Sequence, residues 1–232
     1  ASGAMLLGLA ALVEQGDEVL LPDPSYPCNR HFVAVLGATA KLLACGPEQR
    51  FQLTAHQLIA HWTEKTRGVL IASPSNPTGT TIAWAELQAI QQEVIKRNGF
   101  LMVDEIYQSL SYEQTLTHRL KSALSLPEAD QNVVVLNSFS KYFNMTGWRL
   151  GWMVLPPAML PNIEKLAQNL FICPSALAQQ AALACFRPDT LAIYEARRLQ
   201  FEQRRNYLLP ALASLGFKIP VTPDGAFYIY AD

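Results

Sequence analysis

The sequence has no excess of either charge: 18 Lys and Arg stand against 19 Asp and Glu, for a formal net charge of −1. It therefore lacks the basic footprint of a nucleic-acid-binding domain and the polybasic patch that holds a protein to an anionic membrane, and neither partner is expected. Cysteine is scarce and scattered. Cys28, Cys45, Cys173 and Cys185 include no C-x-x-C pair, which argues against a zinc site or a disulfide frame and fits free thiols in a reducing compartment. His56 and His61 are at the wrong helical spacing to share a ligand-facing side, so no metal is expected. No apolar run has the length of a membrane span, and the first residues lack the charged start, apolar stretch and cleavage site of a secretory leader. The cytoplasm is the expected location. There is no internal repeat and no low-complexity tract.

What is present is a large apolar fraction, 50% of 232 residues with 16% charged, the makeup of a globular protein with a substantial core. Short apolar runs alternate with helical patterns. The spacing predicts a helix over 2–15 with Ser2 as its N-cap and Gly16 as its stop, then a strand over 18–21. After the turn Asp23-Pro24-Ser25-Tyr26-Pro27, a second helix ends near Gly37 and a strand follows over 39–43. A helix over 54–66 capped by Thr54, a strand over 68–72, a helix over 83–97 and a strand over 100–103 repeat the unit. A polar, irregular segment precedes the β-branched run Val133-Val134-Val135-Leu136, and a further strand covers 150–155. The expected fold is α/β, a mostly parallel sheet flanked by helices on both faces. From Pro156 to about Leu215 the pattern is helical, with breaks at Cys173-Pro174 and Arg187-Pro188, and strands are expected over 217–219 and 226–230. The chain opens directly at an amphipathic run and stops within a strand-like pattern, as a fragment would. Residues 1–212 are expected to form an N-terminally truncated large domain, and 213–232 the start of a smaller, truncated one.

The candidate chemistry lies at strand ends, where open α/β sheets keep their sites. Asn137-Ser138-Phe139-Ser140-Lys141 follows the 133–136 strand and delivers two hydroxyls and an amine, the lysine in the partly apolar company that Schiff-base chemistry uses. Asp104 and Glu105 end another strand, before Tyr107; Asn76 follows a third; Arg149 stands at the head of a fourth. Together they suit an aromatic aldehyde with a pyridine nitrogen, a phenolic oxygen and a phosphate. Lys141 would bind the aldehyde, and an ionised Asp104 would keep the ring nitrogen protonated so that the ring serves as an electron sink. Asn76 and Tyr107 would donate to the phenolic oxygen, and Tyr26 would stack on the ring. The phosphate would take Arg149, the Ser138 hydroxyl and the backbone N–H groups where the first helix starts, at Ala1 and Ser2.

Read in order, Gly16-Asp17-Glu18-Val19, Asp23-Pro24-Ser25-Tyr26-Pro27, Ser75-Asn76-Pro77-Thr78-Gly79, Asp104-Glu105-Ile106-Tyr107, Ser138-Phe139-Ser140-Lys141 and Gly147-Trp148-Arg149-Leu150-Gly151 resemble the class I and II aminotransferases, fold type I pyridoxal phosphate enzymes. The resemblance runs over essentially the whole chain. It implies pyridoxal 5'-phosphate as cofactor, with Lys141 as Schiff-base lysine, Asp104 as pyridinium partner and Asn76 and Tyr107 as phenolate partners. It likewise makes Tyr26 the stacking ring and Ser138 and Arg149 phosphate ligands. The family's Gly-Ala-Ser phosphate turn is present only as Ala1-Ser2.

The implied activity moves an amino group between an L-amino acid and a 2-oxo acid by a ping-pong mechanism, with Lys141, Asp104 and Tyr107 as the catalytic residues. A β-lyase or synthase on the same scaffold, or the cofactor-sensing domain of a transcriptional regulator, are the alternatives. The family's closing N-terminal segment and its substrate-carboxylate arginine are not in this sequence; the arginine is expected beyond Asp232, after a Gly225-Ala226-Phe227-Tyr228 stretch that resembles the opening of the small domain. Residues 171–182 resemble the segment that reaches the partner subunit, which implies a homodimer.

Overall fold

A computed structural model describes residues 1–112 and 121–232. The irregular segment expected before Val133 falls partly on residues 113–120, outside the described residues. The described strands are β1 (Glu18–Asp23), β2 (Thr39–Ala44), β3 (Thr66–Ala72), β4 (Phe100–Asp104), β5 (Val133–Ser138) and β6 (Gly151–Val154). They form one sheet in the order β2-β1-β3-β4-β5-β6, with every neighbouring pair parallel except β5 and β6.

Helices cover both faces, and the two-residue period of the strands sorts their side chains between them. Val19, Leu21, Leu70, Met102, Val134 and Leu136 pack with Met5 and Leu9 of α1 (Ser2–Ala10) and Val33 of α2 (Cys28–Ala34). Leu20, Val69, Ile71, Leu101, Val103, Val133 and Val135 pack with Leu58 of α3 (Ala55–His61) and with Leu87, Ile90 and Val94 of α4 (Trp84–Lys96). Each such fully buried side chain contributes about 1.5–3 kcal/mol of transfer free energy. A short α5 (Ala129–Asn132) leads into β5. Beyond the sheet, α6 (Leu160–Leu170), α7 (Ala176–Leu183) and α8 (Pro188–Ser214) follow, α8 starting at a proline in the first helical position where no N–H is needed.

Several expectations are corrected. Ser2 is the first helical residue rather than the cap; Ala1 occupies the cap and no side chain bonds there. The helix stops at Ala10 instead of 15, because the chain must turn so that the Gly16 N–H can bond the Gly37 carbonyl at 3.0 Å before β1. Thr54 does cap α3, in a reciprocal box with Gln57. That helix ends at His61 rather than 66, since Thr66 already belongs to β3. No regular strand forms over 217–219 or 226–230. Lys218 and Asp232 exchange a pair of backbone bonds, but Ala226 has φ 58°, outside the strand region, and so the chain bends there.

No helix among the described residues is long and apolar enough to cross a membrane.

Candidate active site

The carboxyl ends of β1, β3, β4 and β5 lie along one edge of the sheet. β6 runs the other way, with Gly151 opposite Ser138, so its amino-terminal end meets them. That reversal brings Arg149 to the site; at the head of a parallel strand it would lie at the far edge. A cavity of about 230 Å³ opens there, lined by Ala1, Ser2, Tyr26, Asn76, Asp104, Tyr107, Ser138, Lys141 and Arg149 among others. All nine residues singled out from the sequence thus face one space.

Asp104 is held from both sides by the backbone: its carbonyl accepts from Ser73 N (3.2 Å), and the next N–H, of Glu105, donates to Leu136 O (2.9 Å). The carboxyl is buried, and burial pushes its pKa from 3.8 up to about 6; the Ile106 N–H at 3.0 Å and Lys141 oppose the rise. Glu105 points elsewhere. It accepts from Ala123 N (2.6 Å) and Ser122 Oγ (2.9 Å), and burial raises its pKa too.

Lys141 projects its Nζ to 5.6 Å from the Tyr107 ring centre and 5.7 Å from that of Phe227, close enough for cation–π attraction. The loop that carries it is pinned by its neighbours. Phe139, Met145 and Leu150 pack with Ala178, Ala182, Cys185 and Tyr194 of the following helical segment, while Tyr142 Oη donates to Glu195 at 2.6 Å.

Ser138 and Ser140 form a compact hydroxyl pair, Oγ to Oγ 2.9 Å, and Ser140 N donates to Ser138 Oγ at 3.0 Å. Arg149 adopts φ 55° and its guanidinium donates to Thr146 O at 2.9 Å. The amino end of α1 lies directly over this corner. A Cβ on Gly151 would come within 2.6 Å of Ala1 N and 2.7 Å of Asn137 O, so glycine there is what allows the approach. The first helical hydrogen bond is Met5 N to Ala1 O, which leaves the Ser2, Gly3 and Ala4 N–H groups without an acceptor inside the helix.

At the other end, Asn76 Nδ2 donates to the Tyr228 hydroxyl at 3.1 Å, and the Tyr228 and Tyr107 hydroxyls are 2.6 Å apart. Burial, then the contact with Tyr228, pushes the Tyr107 phenol well above the usual tyrosine range. Tyr26 is raised as well, by a hydrogen bond with Cys28 and then by burial.

Sequence reasoning passed over Met5, Phe32, Ala72, Ile106, Thr146 and Tyr228 as lining residues, and named Ser140 only within its motif, without a role. Ser140 had a usable signal in its spacing from Ser138. Tyr228 had none, because it arrives from 121 residues beyond Tyr107 on a strap, residues 221–228, that doubles back over the sheet edge. Asp224 N and Gly225 N donate to Gly79 O, Ala226 N donates to Leu110 O, and Tyr112 Oη donates to Ala226 O. Gly79 admits the strap: with φ 68° it suits glycine, and a Cβ there would lie 2.6 Å from Pro223.

The model of the family "Aminotransferase class I and II" matches residues 1–232. The valine–pyruvate aminotransferase of Mycobacterium tuberculosis is 39% identical over 231 residues, which cover 100% of this chain and 58% of that protein. The crystal structure of an aminotransferase from Mycobacterium tuberculosis superposes with a TM-score of 0.92 at 40% identity, over 100% of this chain and 58% of that one. An aromatic aminotransferase from Pyrococcus horikoshii gives 0.92 at 31% identity, over 99% and 60%. The chain therefore spans somewhat over half the length of these relatives. Aminotransferases of this class use pyridoxal 5'-phosphate. By family match and by fold, the chain belongs to the class I and II aminotransferases.

Proposed function

We propose that the protein is a pyridoxal 5'-phosphate-dependent aminotransferase that moves an amino group between an L-amino acid and a 2-oxo acid in two half-reactions. The observation that carries this is the convergence of an amine, a buried carboxyl, a phenol with an amide, and a hydroxyl–guanidinium corner on one cavity. The donor set fits the cofactor. A buried carboxyl driven up to about 6 is a group whose ionised form a cationic ring nitrogen would favour. The Ser138, Ser140 and Arg149 corner beneath the free N–H groups of α1 suits a phosphate.

Bound there, the cofactor supplies an aldehyde that takes up an amine and a protonated ring that accepts the electron pair left when the substrate's α-hydrogen departs. Lys141 would hold the cofactor's aldehyde in the absence of substrate, and its amine, once free, would carry the proton between the substrate α-carbon and the cofactor's aldehyde carbon. Asp104 keeps the ring nitrogen charged. Asn76 and Tyr107 would donate to the phenolic oxygen, and Tyr26 would stack on the ring. Ser138, Arg149, and the Ala1–Ser2 start of α1 anchor the phosphate.

Residues 1–212 belong, in this reading, to the cofactor-binding domain and 213–232 to the opening of a smaller one. The protein works in the cytoplasm as a homodimer, with the exposed apolar residues Phe171, Ile172 and Leu177 facing the second subunit. The name of the 39% identical relative makes valine with pyruvate the first substrate pair to try. The experiment is to purify the full-length protein with pyridoxal phosphate, reduce it with borohydride and map the label, then assay amino transfer from a mixed amino-acid pool. Label on the Lys141 peptide with transfer to a 2-oxo acid is expected. Label on another lysine, or a folded protein that takes none, defeats the reading.

A further inference from the structure

The hydroxyl of Tyr228 has no part in the reading above, yet it lies between two groups that do. Asn76 Nδ2 carries only hydrogens to offer, so at 3.1 Å the Tyr228 oxygen is the acceptor. The same oxygen lies 2.6 Å from that of Tyr107, and either hydroxyl can be the donor of that bond; when Tyr228 donates, the Tyr107 hydrogen points into the cavity, the arrangement that a phenolic acceptor there would select. We propose that Tyr228 is a positioning residue that orders the Tyr107 hydroxyl as a donor toward the phenolic oxygen of the bound cofactor, an inference that rests on the function proposed above.

The strap makes this more than a chance contact. Asp224 Oδ2 accepts from both the N–H and the hydroxyl of Thr81, each at 2.9 Å, and from Arg50 at 2.6 Å. Arg205 donates to Pro223 O at 2.8 Å. Past these anchors Ala226 turns the chain at positive φ and is wholly buried, so the Tyr228 ring is delivered to a fixed place. There it meets Tyr107 edge to face, ring centres 5.6 Å apart, and Phe227 at 4.8 Å. Those ring contacts need no hydroxyl. A phenylalanine would make them equally well, and what the oxygen adds is the link from Asn76 to Tyr107. The other ionisable groups facing the pair are Asp104, Tyr26 and Lys141, and none of them makes a hydrogen bond to either hydroxyl among the described residues.

A donor to the phenolic oxygen favours its deprotonated form, so weakening that donor raises the pH midpoint at which the bound cofactor changes its visible absorption. Tyr228→Phe in the full-length, cofactor-loaded protein should raise this midpoint by about 0.3–1 pH unit, the worth of one ordinary hydrogen bond. Tyr107→Phe should raise it as well. Adding Tyr228→Phe to Tyr107→Phe should then change nothing further, because Tyr228 acts through the hydroxyl already removed. An unchanged midpoint in Tyr228→Phe overturns the proposal. So does a full additional shift in the double variant, which would mean that Tyr228 reaches the cofactor directly. A wild-type protein with no visible band at all defeats the functional reading first, before any substitution is made.

Discussion

The sheet and the helical layer that follows it have opposite surfaces. Every residue of β4 and the first four of β5 are buried, and both faces of the sheet are filled by helices of the same chain. From α6 onward many of the large apolar side chains are turned out. Ile172 is 83% exposed, Leu177 77% and Leu215 75%, and Leu170, Leu183, Phe186 and Phe217 are exposed with them. Exposed apolar side chains in such number are uncommon on a monomer surface that meets nothing else. The difference separates two kinds of surface: the sheet edge is built from contacts the chain makes itself, whereas much of the apolar surface of the helical layer is left exposed among the described residues. The two are joined where Phe139, Met145 and Leu150 pack on Ala178, Ala182 and Tyr194, directly behind Lys141.

The most severe test of the sheet edge is Lys141→Ala in the full-length protein. Amino transfer should fall by about two to four decades, the usual contribution of a positioned acid–base group, and borohydride should no longer fix the cofactor to the 141 peptide. Retained transfer would take the reaction away from this edge altogether.

Next in size is the self-sufficiency of the core. Leu70 is fully buried at the centre of the sheet, and Leu70→Ala should cost about 2–5 kcal/mol in denaturant unfolding, transfer and cavity terms together. A loss under 1 kcal/mol would mean that the sheet collapses around the gap, and that it is less tightly determined than its burial implies.

Asp104 sets function against stability. Its folded pKa is raised, from 3.8 to about 6, so the fold favours the protonated form. Whatever stability that preference gives is fully present below pH 3.8 and is lost as pH rises through 6. Above that the ionised carboxyl in its buried place costs the cofactor-free protein about 3 kcal/mol. Asp104→Asn should therefore match the parent near pH 4 and be the more stable of the two at pH 8, while the loaded enzyme loses about two to three decades of turnover. Equal stability at both pH values would place a compensating cation beside Asp104.

Much of this was legible in the sequence for a simple reason. Strands buried on both faces are continuous apolar runs, such as Val133 to Leu136, and the turn formers that end them carry the polar groups, so element and site were marked by the same residues. What escaped was non-local. The antiparallel direction of β6, which puts Arg149 on the right edge, is decided by pairing with β5 and leaves no trace in its own four residues. The bend at Ala226 broke an apparently regular strand pattern because the strap answers to Gly79, Leu110 and Tyr112 rather than to its own propensities. Tyr228 was missed with it.

The smallest effect is expected in the helical layer, and it sharpens the contrast because the same substitution should matter in one measurement and not in another. Leu177 exposes most of its side chain, so Leu177→Ser removes little packing within the chain and should change the unfolding free energy of residues 1–232, in dilute solution, by no more than about 0.5 kcal/mol. In the full-length protein, with a second subunit proposed to cover this face, the same change replaces a buried leucine at an interface by a hydroxyl. Dimer dissociation, followed by sedimentation over a dilution series, should then shift toward monomer by about one to two decades in Kd, the equivalent of 1.5–3 kcal/mol for one buried leucine. If unfolding of the short chain drops by 2 kcal/mol or more, the face is already covered within the chain. If dimerisation of the full-length protein is untouched, the apolar surface of α7 serves some other contact, and the division of labour between sheet edge and helical layer has been drawn in the wrong place.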